Sequence, residues 1–182
     1  MQKQTARAPE LALPVPSLAA MRAALEAECG PDAAGRALRA AGFAAGDALH
    51  AALTATTEGK ALDAVNAELF WKRLVQLFSN RGWGNFSLTQ LHPGVGALDA
   101  RNWVEAVAES GAQRPSCHFT TGLVANLLGN AAGAEVAVLE LECRSRGDAR
   151  CRFAFGAPEI MGAVYQYILD GADAEQSIAA LS

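Results

Sequence analysis

The chain of 182 residues is long enough for one domain, and its apolar content of 51 % can fill a core. A net charge of −4 offers no basic face for nucleic acid, and the sequence has no run of ~20 apolar residues, which a membrane span requires. The N-terminus lacks the continuous apolar segment of a secretory signal, so we expect a cytoplasmic protein.

The N-terminal half predicts three helices behind a flexible arm at residues 1–16. Ser17 can cap a first helix that ends at Cys29, and Asp32 can cap a second one. The second helix is rich in Ala and Gly, which would let another backbone approach closely, within the chain or across a dimer. A third helix over 61–82 has apolar residues at a 3.6-residue spacing. Its apolar stripe consists of Leu62, Val65, Leu69, Phe70, Leu74, Leu77 and Phe78.

The C-terminal half predicts two β-hairpins separated by a helix. Residues 85–92 alternate apolar and polar before a Pro-Gly turn, and we expect a second strand at 100–110, although that segment could also form a short helix. Next come a helix at 118–131, strands at 135–143 and 149–156, and a helix that begins at Pro158. The order predicts an α+β fold, with an antiparallel sheet of about four strands and helices packed on one side.

Three of the four cysteines fall in about the last third of the chain. In a reducing compartment, clustered cysteines are more often metal ligands or free thiols than disulfides. Cys143 and Cys151 flank a hairpin turn, and Cys117 precedes a helix whose N-terminus favours a thiolate. With a carboxylate from Glu140, these thiolates form a four-ligand set that suits Zn²⁺. Protein would fill every position, so the metal is expected to be structural.

Glu142 is a rival for the carboxylate ligand. Both Glu140 and Glu142 lie an odd number of residues from Cys143, so strict alternation would point either one to the opposite face of the strand. A β-bulge or the end of pairing must therefore re-aim the glutamate that binds. Four arginines in or beside the hairpin could offset the negative charge of the site, or could simply form a solvated turn: Arg144, Arg146, Arg150 and Arg152.

The stretch C-H-F-T-T-G-L…E-L-E-C-R-S-R-G-D-A-R-C-R-F, at residues 117–153, resembles the 4-vinyl-reductase-like domain family. A looser resemblance begins near residue 33. The family includes the sensory domains of phenol- and xylene-responsive bacterial activators, in which three Cys and one Glu hold zinc, and a protein of bacteriochlorophyll synthesis. The resemblance implies a zinc-containing domain over residues 17–182, a fold similar to TRAPP subunits, and Glu140 rather than Glu142 as the carboxylate ligand.

In the relatives that sense aromatic compounds, the ligand occupies a mostly apolar pocket between helices and sheet. The resemblance therefore directs attention to the aromatic residues of this chain. The candidate ligand-binding residues are Phe70, Trp71, Phe78, Trp83, Phe86, His92, Trp103 and Phe119. For each of them, a place in the core or on a strand face is the alternative.

The leading hypothesis is a stand-alone, homodimeric domain, stabilised by zinc, that binds or senses an apolar, aromatic or tetrapyrrole molecule. One alternative is an accessory or substrate-delivery factor of bacteriochlorophyll synthesis. A reductase is less favoured, because the sequence has neither a dinucleotide fingerprint nor an evident nucleophile–base pair. A further alternative is a dimeric scaffold that binds no small molecule and uses the Ala/Gly helix as its interface.

Overall fold

The computed structural model describes residues 11–55, 67–108 and 111–181. Within these ranges the helices are α1 (Val15–Cys29), α2 (Pro31–Ala55), α3 (Ala67–Ser79), α4 (His118–Ala132), α5 (Pro158–Leu169) and α6 (Ala174–Ala179). The strands are β1 (Phe86–His92), β2 (Val95–Ala100), β3 (Ala137–Glu142) and β4 (Cys151–Gly156). Among the described residues, no helix is both long and apolar enough to cross a bilayer.

The strands form one antiparallel sheet in the order β1-β2-β4-β3, which confirms the prediction of an α+β fold with about four antiparallel strands. The second strand lies at Val95–Ala100, not at the predicted 100–110. The reason is the turn at Pro93 and Gly94, which reverses the chain at once, so that β2 is complete before the predicted segment begins. Residues 101–108 then leave the sheet in a series of turns.

The central strands β2 and β4 are covered on both faces of the sheet. Neighbouring residues of a strand point to opposite sides, so each strand contributes side chains to both faces. On one face, Phe153 belongs to the larger core cluster, which includes buried residues of α2, α3 and α4. On the other face, Ala154 packs with Met161 and Val164 of α5 in a smaller cluster that also includes residues of α6. The prediction of helices on one side therefore describes α2, α3 and α4, whereas α5 and α6 cover the opposite face.

Helices α2 and α4 cross in close contact through glycine. A Cβ atom on Gly42 would lie 1.9 Å from the carbonyl oxygen of Phe119, and one on Gly122 would lie 1.9 Å from that of Arg39. Only hydrogen in place of a side chain permits this approach. The small residues of α2 therefore serve internal packing, and this face of α2 is not available to a second copy of the chain.

The stripe predicted on α3 is mostly buried. Its buried members are Phe70, Leu74, Leu77 and Phe78. Leu69 is an exception, since it is 40 % exposed. The predictions for Leu62, Val65 and residues 1–10 of the N-terminal arm lie outside the described residues.

We expect Gly122→Ala to lower the free energy of unfolding by about 1–3 kcal/mol or more, because the added methyl group meets the backbone of α2. Gly162→Ala is the matched control, since no described atom lies within 4 Å of a Cβ placed there on α5. The control should be neutral or stabilising by up to about 1 kcal/mol, because alanine favours the helix. Urea unfolding followed by circular dichroism measures both. Equal stability of the two variants would contradict the close crossing.

Candidate metal centre and aromatic interior

The structure brings the predicted metal ligands together at the start of α4 and the end of β3. The Cys117 Sγ atom lies 3.9 Å from Cys143 Sγ and 4.0 Å from Cys151 Sγ. With one carboxylate oxygen of Glu140, the candidate ligand atoms all lie within 4.8 Å of one another. Two sulfurs at about 2.3 Å from one tetrahedral Zn²⁺ would be about 3.8 Å apart. The cluster therefore has the dimensions of a four-coordinate metal site.

A β-bulge selects Glu140 over its rival Glu142. Glu140 pairs with Phe153 and Glu142 with Arg152, so β3 advances by two residues where β4 advances by one. The extra residue, Leu141, packs in the smaller cluster on the far side of the sheet. The bulge adds one residue between Glu140 and Cys143 without a partner on β4. Their side chains can therefore point to the same side of the sheet, although they are an odd number of residues apart.

The carboxylate of Glu140 has one oxygen in use and one available. Its Oε2 accepts a hydrogen bond from the backbone N–H of Cys117 at 2.8 Å. Its Oε1 is buried and has no hydrogen-bond partner within the described part of the chain. A buried carboxylate oxygen without a partner is costly. Coordination of a cation would remove that cost, so this atom fits a metal ligand.

A cation would offset the negative charge of the buried cluster. Burial and the neighbouring Cys143 raise the pKa of Glu140 well above its usual range. The hydrogen bond to Cys143 raises the pKa of the Cys117 thiol, and the hydrogen bonds from the neighbouring thiols lower the pKa of Cys143. These groups therefore compete for protons. A divalent cation would replace the protons and suit a soft set of three sulfurs and one oxygen.

The turn between β3 and β4 positions two of the candidate ligands, Cys143 and Cys151. The carboxylate of Asp148 accepts the backbone N–H of Cys143 at 2.7 Å and pairs with Arg146 at 2.7 Å. Arg146 also donates to the carbonyl oxygen of Leu141, at the bulge. The hydroxyl of Ser145 accepts the N–H of Val107, which ties the turn to the segment after β2. These contacts fix the turn independently of the thiols.

The arginines of the hairpin mostly neutralise carboxylates elsewhere. Arg150 and Arg152 contact Glu142 at 2.9 and 3.1 Å, and Arg152 contacts Asp99 at 2.7 Å. Arg146 pairs with Asp148 as described above. These three do not offset the charge of the cluster by direct contact, as their positions in the sequence suggested they could. Glu142 is thereby bound to two guanidinium groups, which further separates it from the metal ligands.

A positive charge reaches the cluster from α1 instead. Arg22 donates to the hydroxyl of Ser116 at 2.8 Å, and that hydroxyl lies 3.8 Å from the sulfur of Cys143. Because the Ser116 oxygen accepts from Arg22, its proton is free to point toward the sulfur. No sequence pattern indicates this contact, since the residues are 94 positions apart.

A second buried carboxylate, which the sequence does not predict, lies against the start of α4. Glu105 is 6 % exposed and accepts hydrogen bonds from the backbone N–H groups of Phe119 and Thr120 at 2.9 and 2.8 Å. The hydroxyl of Thr120 donates to the same carboxylate at 2.6 Å and accepts from the indole N–H of Trp103 at 2.7 Å. In the sequence, Glu105 is one acidic residue in an apolar segment, a pattern that predicts no partner.

The predicted ligand-binding aromatics separate into two groups. The first packs around Trp103 in the larger core cluster, and its predicted members are Phe78, Trp83, Phe86 and Phe119. The second consists of Phe70 and Trp71 on α3, with Trp71 also against Phe155 at 5.7 Å between ring centroids. His92 lies apart at the end of β1, where its Nδ1 accepts the N–H of Gly94 in the following turn.

A small open cleft adjoins the second group. It has a volume of 240 Å³ and lies between α3 and the sheet, where Trp71, Leu88 and Phe155 form its apolar walls. Gln90 contributes a polar group. A much larger groove of 1910 Å³, lined by many charged residues, runs past β3 and α6, and it includes His92.

Residues 100–157 match the vinyl-4-reductase domain family, which confirms the resemblance read from the sequence; the matched segment includes the whole Cys/Glu cluster. The fold is similar to the crystal structure of the phenol-responsive sensory domain of the transcription activator PoxR with phenol. That match has a TM-score of 0.64 and 18 % identity, and it covers 82 % of this chain and 77 % of that one.

A second similar structure is a vinyl-4-reductase family protein from Methanocaldococcus jannaschii, with a TM-score of 0.51 and 17 % identity over 80 % of this chain and 82 % of that one. At these identities the two likenesses establish the fold. No curated protein matches the sequence.

The burial of the thiols leads to a labelling prediction. In the folded protein we expect a thiol reagent such as dithionitrobenzoate to modify one cysteine per chain rapidly, because Cys29 is exposed whereas Cys117, Cys143 and Cys151 are fully buried. Denaturation with a chelator should release the other three. The variant Cys29→Ser is the control and should show no rapid reaction. Rapid labelling of two or more thiols in the folded protein would contradict the closed cluster.

Proposed function

We propose that this chain, which matches the vinyl-4-reductase domain family at residues 100–157, binds and senses a small apolar or aromatic molecule and is stabilised by one structural Zn²⁺. The observation that supports the proposal is the separation of two sites. The Cys/Glu cluster brings four protein ligand atoms together, whereas an aromatic-walled cleft between α3 and the sheet is open. A closed tetrahedral set leaves no position for substrate, so recognition belongs to the apolar side.

The zinc would be held by Cys117 at the start of α4, by Glu140 and Cys143 at the end of β3, and by Cys151 at the start of β4. These residues come from three elements that meet at one end of the sheet. Bound Zn²⁺ would supply a cross-link and would offset the charge of the ligands. In this role the metal stabilises the fold that surrounds the cleft.

The choice of carboxylate ligand gives a paired test. We expect Glu140→Gln to lower zinc affinity by at least about tenfold, because the amide loses the negative charge on the oxygen that lacks a partner. Glu142→Gln changes the same atoms two residues away and should leave zinc affinity unchanged, since Glu142 contacts arginines. Metal content by mass spectrometry and competition with a chromogenic chelator measure both. Equal losses in the two variants, or less than one zinc per wild-type chain, would contradict the assignment.

The size and chemistry of the cleft favour a compact ligand. Its 240 Å³ lies just below the usual range of ligand pockets, about 300–1,000 Å³. Its walls are apolar and aromatic, and the amide of Gln90 offers a polar contact at the rim. A monocyclic aromatic compound satisfies these conditions. The phenol in the PoxR sensory domain, which has a similar fold, supports the same class of ligand.

A tetrapyrrole is a less favoured ligand, because the cleft is too small to enclose a macrocycle. The groove of 1910 Å³ beside β3 is large enough, but its lining includes many charged residues. The scaffold hypothesis has also lost its proposed interface, since α4 occupies the glycine face of α2. Formation of a homodimer through another surface stays a prediction, which the mass measured by analytical ultracentrifugation would test.

Binding is tested by thermal shift, with phenol and toluene as small probes and protoporphyrin as the large one. We expect the small probes to raise the melting temperature in a saturable way, because a ligand that binds only the folded state stabilises it. Trp71→Ala removes one wall of the cleft and should abolish the shift. Leu69→Ala lies on the same helix at an exposed position and should retain it. A shift with protoporphyrin alone, or no shift with any probe, would contradict the proposal.

A further inference from the structure

Helix α4 begins at a residue whose side chain does not cap it. The N-cap position is Cys117, and among the described contacts its side chain accepts no hydrogen bond from the first turn. At most helix starts, the side chain of the N-cap residue accepts the second or third amide N–H group. The sulfur of Cys117 instead faces the other two thiols of the cluster. The helix therefore needs its acceptor from elsewhere.

Glu105 supplies that acceptor from the segment after β2. Its two carboxylate oxygens bind the N–H groups of Phe119 and Thr120, which are the second and third residues of α4. Glu140 binds the N–H of Cys117 itself. Two carboxylates from separate parts of the chain thus divide these amides at the start of the helix. The positive end of the helix dipole favours both.

Thr120 joins this cap to the aromatic interior. Its hydroxyl accepts a hydrogen bond from the indole N–H of Trp103 and donates one to the carboxylate of Glu105. Trp103 in turn packs against Phe78 and Phe153 at 5.4 and 6.0 Å between ring centroids. The position of the first turn of α4, and with it the sulfur of Cys117, therefore depends on a chain of buried contacts.

We infer that Glu105 is a positioning residue of the metal centre: it caps α4 in place of Cys117, and Thr120 and Trp103 hold its carboxylate so that the cysteine sulfur is directed to the ion. The inference rests on the metal part of the proposed function. It adds residues outside the ligand set, and it assigns a role to the link between the cluster and the aromatic interior.

The test compares isosteric changes in the full chain. Thr120→Val keeps the shape and removes both hydrogen bonds of the hydroxyl, whereas Thr120→Ser keeps the hydroxyl. Glu105→Gln keeps the size of the cap but presents an amide NH₂ group to backbone donors. Ser177→Ala removes a buried hydroxyl bond in α6, on the opposite face of the sheet, and controls for a general loss of stability.

Zinc affinity by chelator competition and the absorption spectrum of the Co²⁺-substituted protein are the readouts. We expect Glu105→Gln and Thr120→Val to weaken zinc binding by about 10- to 100-fold, as changes next to metal ligands commonly do. Their thiolate-to-cobalt bands should also shift, because the sulfur changes position. Thr120→Ser should restore both readouts. Ser177→Ala should lower the free energy of unfolding in urea without moving the cobalt bands.

The outcomes separate this inference from the proposed function. If the wild-type chain binds no zinc, the metal part of the proposed function fails and the inference fails with it. If the wild type binds zinc but Glu105→Gln and Thr120→Val match Ser177→Ala in both readouts, the inference alone is overturned and Glu105 is an ordinary helix cap. If Glu105→Gln does not fold, the comparison of Thr120→Val with Thr120→Ser decides the matter.

Discussion

The hydrogen bond from the backbone N–H of Cys117 to Glu140 is the contact on which the arrangement of this domain depends. It joins the start of a helix to the edge strand of the sheet, and it does so inside the cluster of thiols. Buried anionic groups are stable together only when donors, a helix dipole or a cation offset their charge. The start of α4 provides both donors and a helix dipole, and the set of three sulfurs and one carboxylate is suited to a cation.

Several other features of the fold follow from the need to place α4. The glycine crossing sets the distance between α2 and α4, because backbone atoms of one helix lie where a side chain of the other would be. The turn at residues 143–148 is closed by Asp148 and fixes the two ligands at the end of the hairpin. Contacts that do not involve the thiols thus help to set the positions of the candidate ligands. Such preorganisation reduces the ordering needed when a metal binds.

Much of the cluster could be predicted from the sequence, because the spacing of cysteines around a hairpin is a local property. The odd separation of Glu140 and Cys143 predicted either a bulge or the end of strand pairing, and the structure has a bulge. The role of Glu105 could not be predicted, since its partners are 14 and 15 residues away and lie in another element. The two-sided burial of the central strands does have a sequence signal, since successive apolar residues in β4, such as Phe153 and Ala154, are typical of a strand covered on both faces.

The bulge in β3 also bears on solubility. Because β3 lies at the edge of the sheet, one row of its backbone N–H and C=O groups has no neighbouring strand in the described fold. Regular free edges of this kind can pair with strands of other molecules and start aggregation. The extra residue at Leu141 interrupts the repeat of that edge, and the charged side chain of Glu142 follows directly. The same irregularity that turns a carboxylate toward the thiols therefore makes the exposed strand a poor template for association between chains.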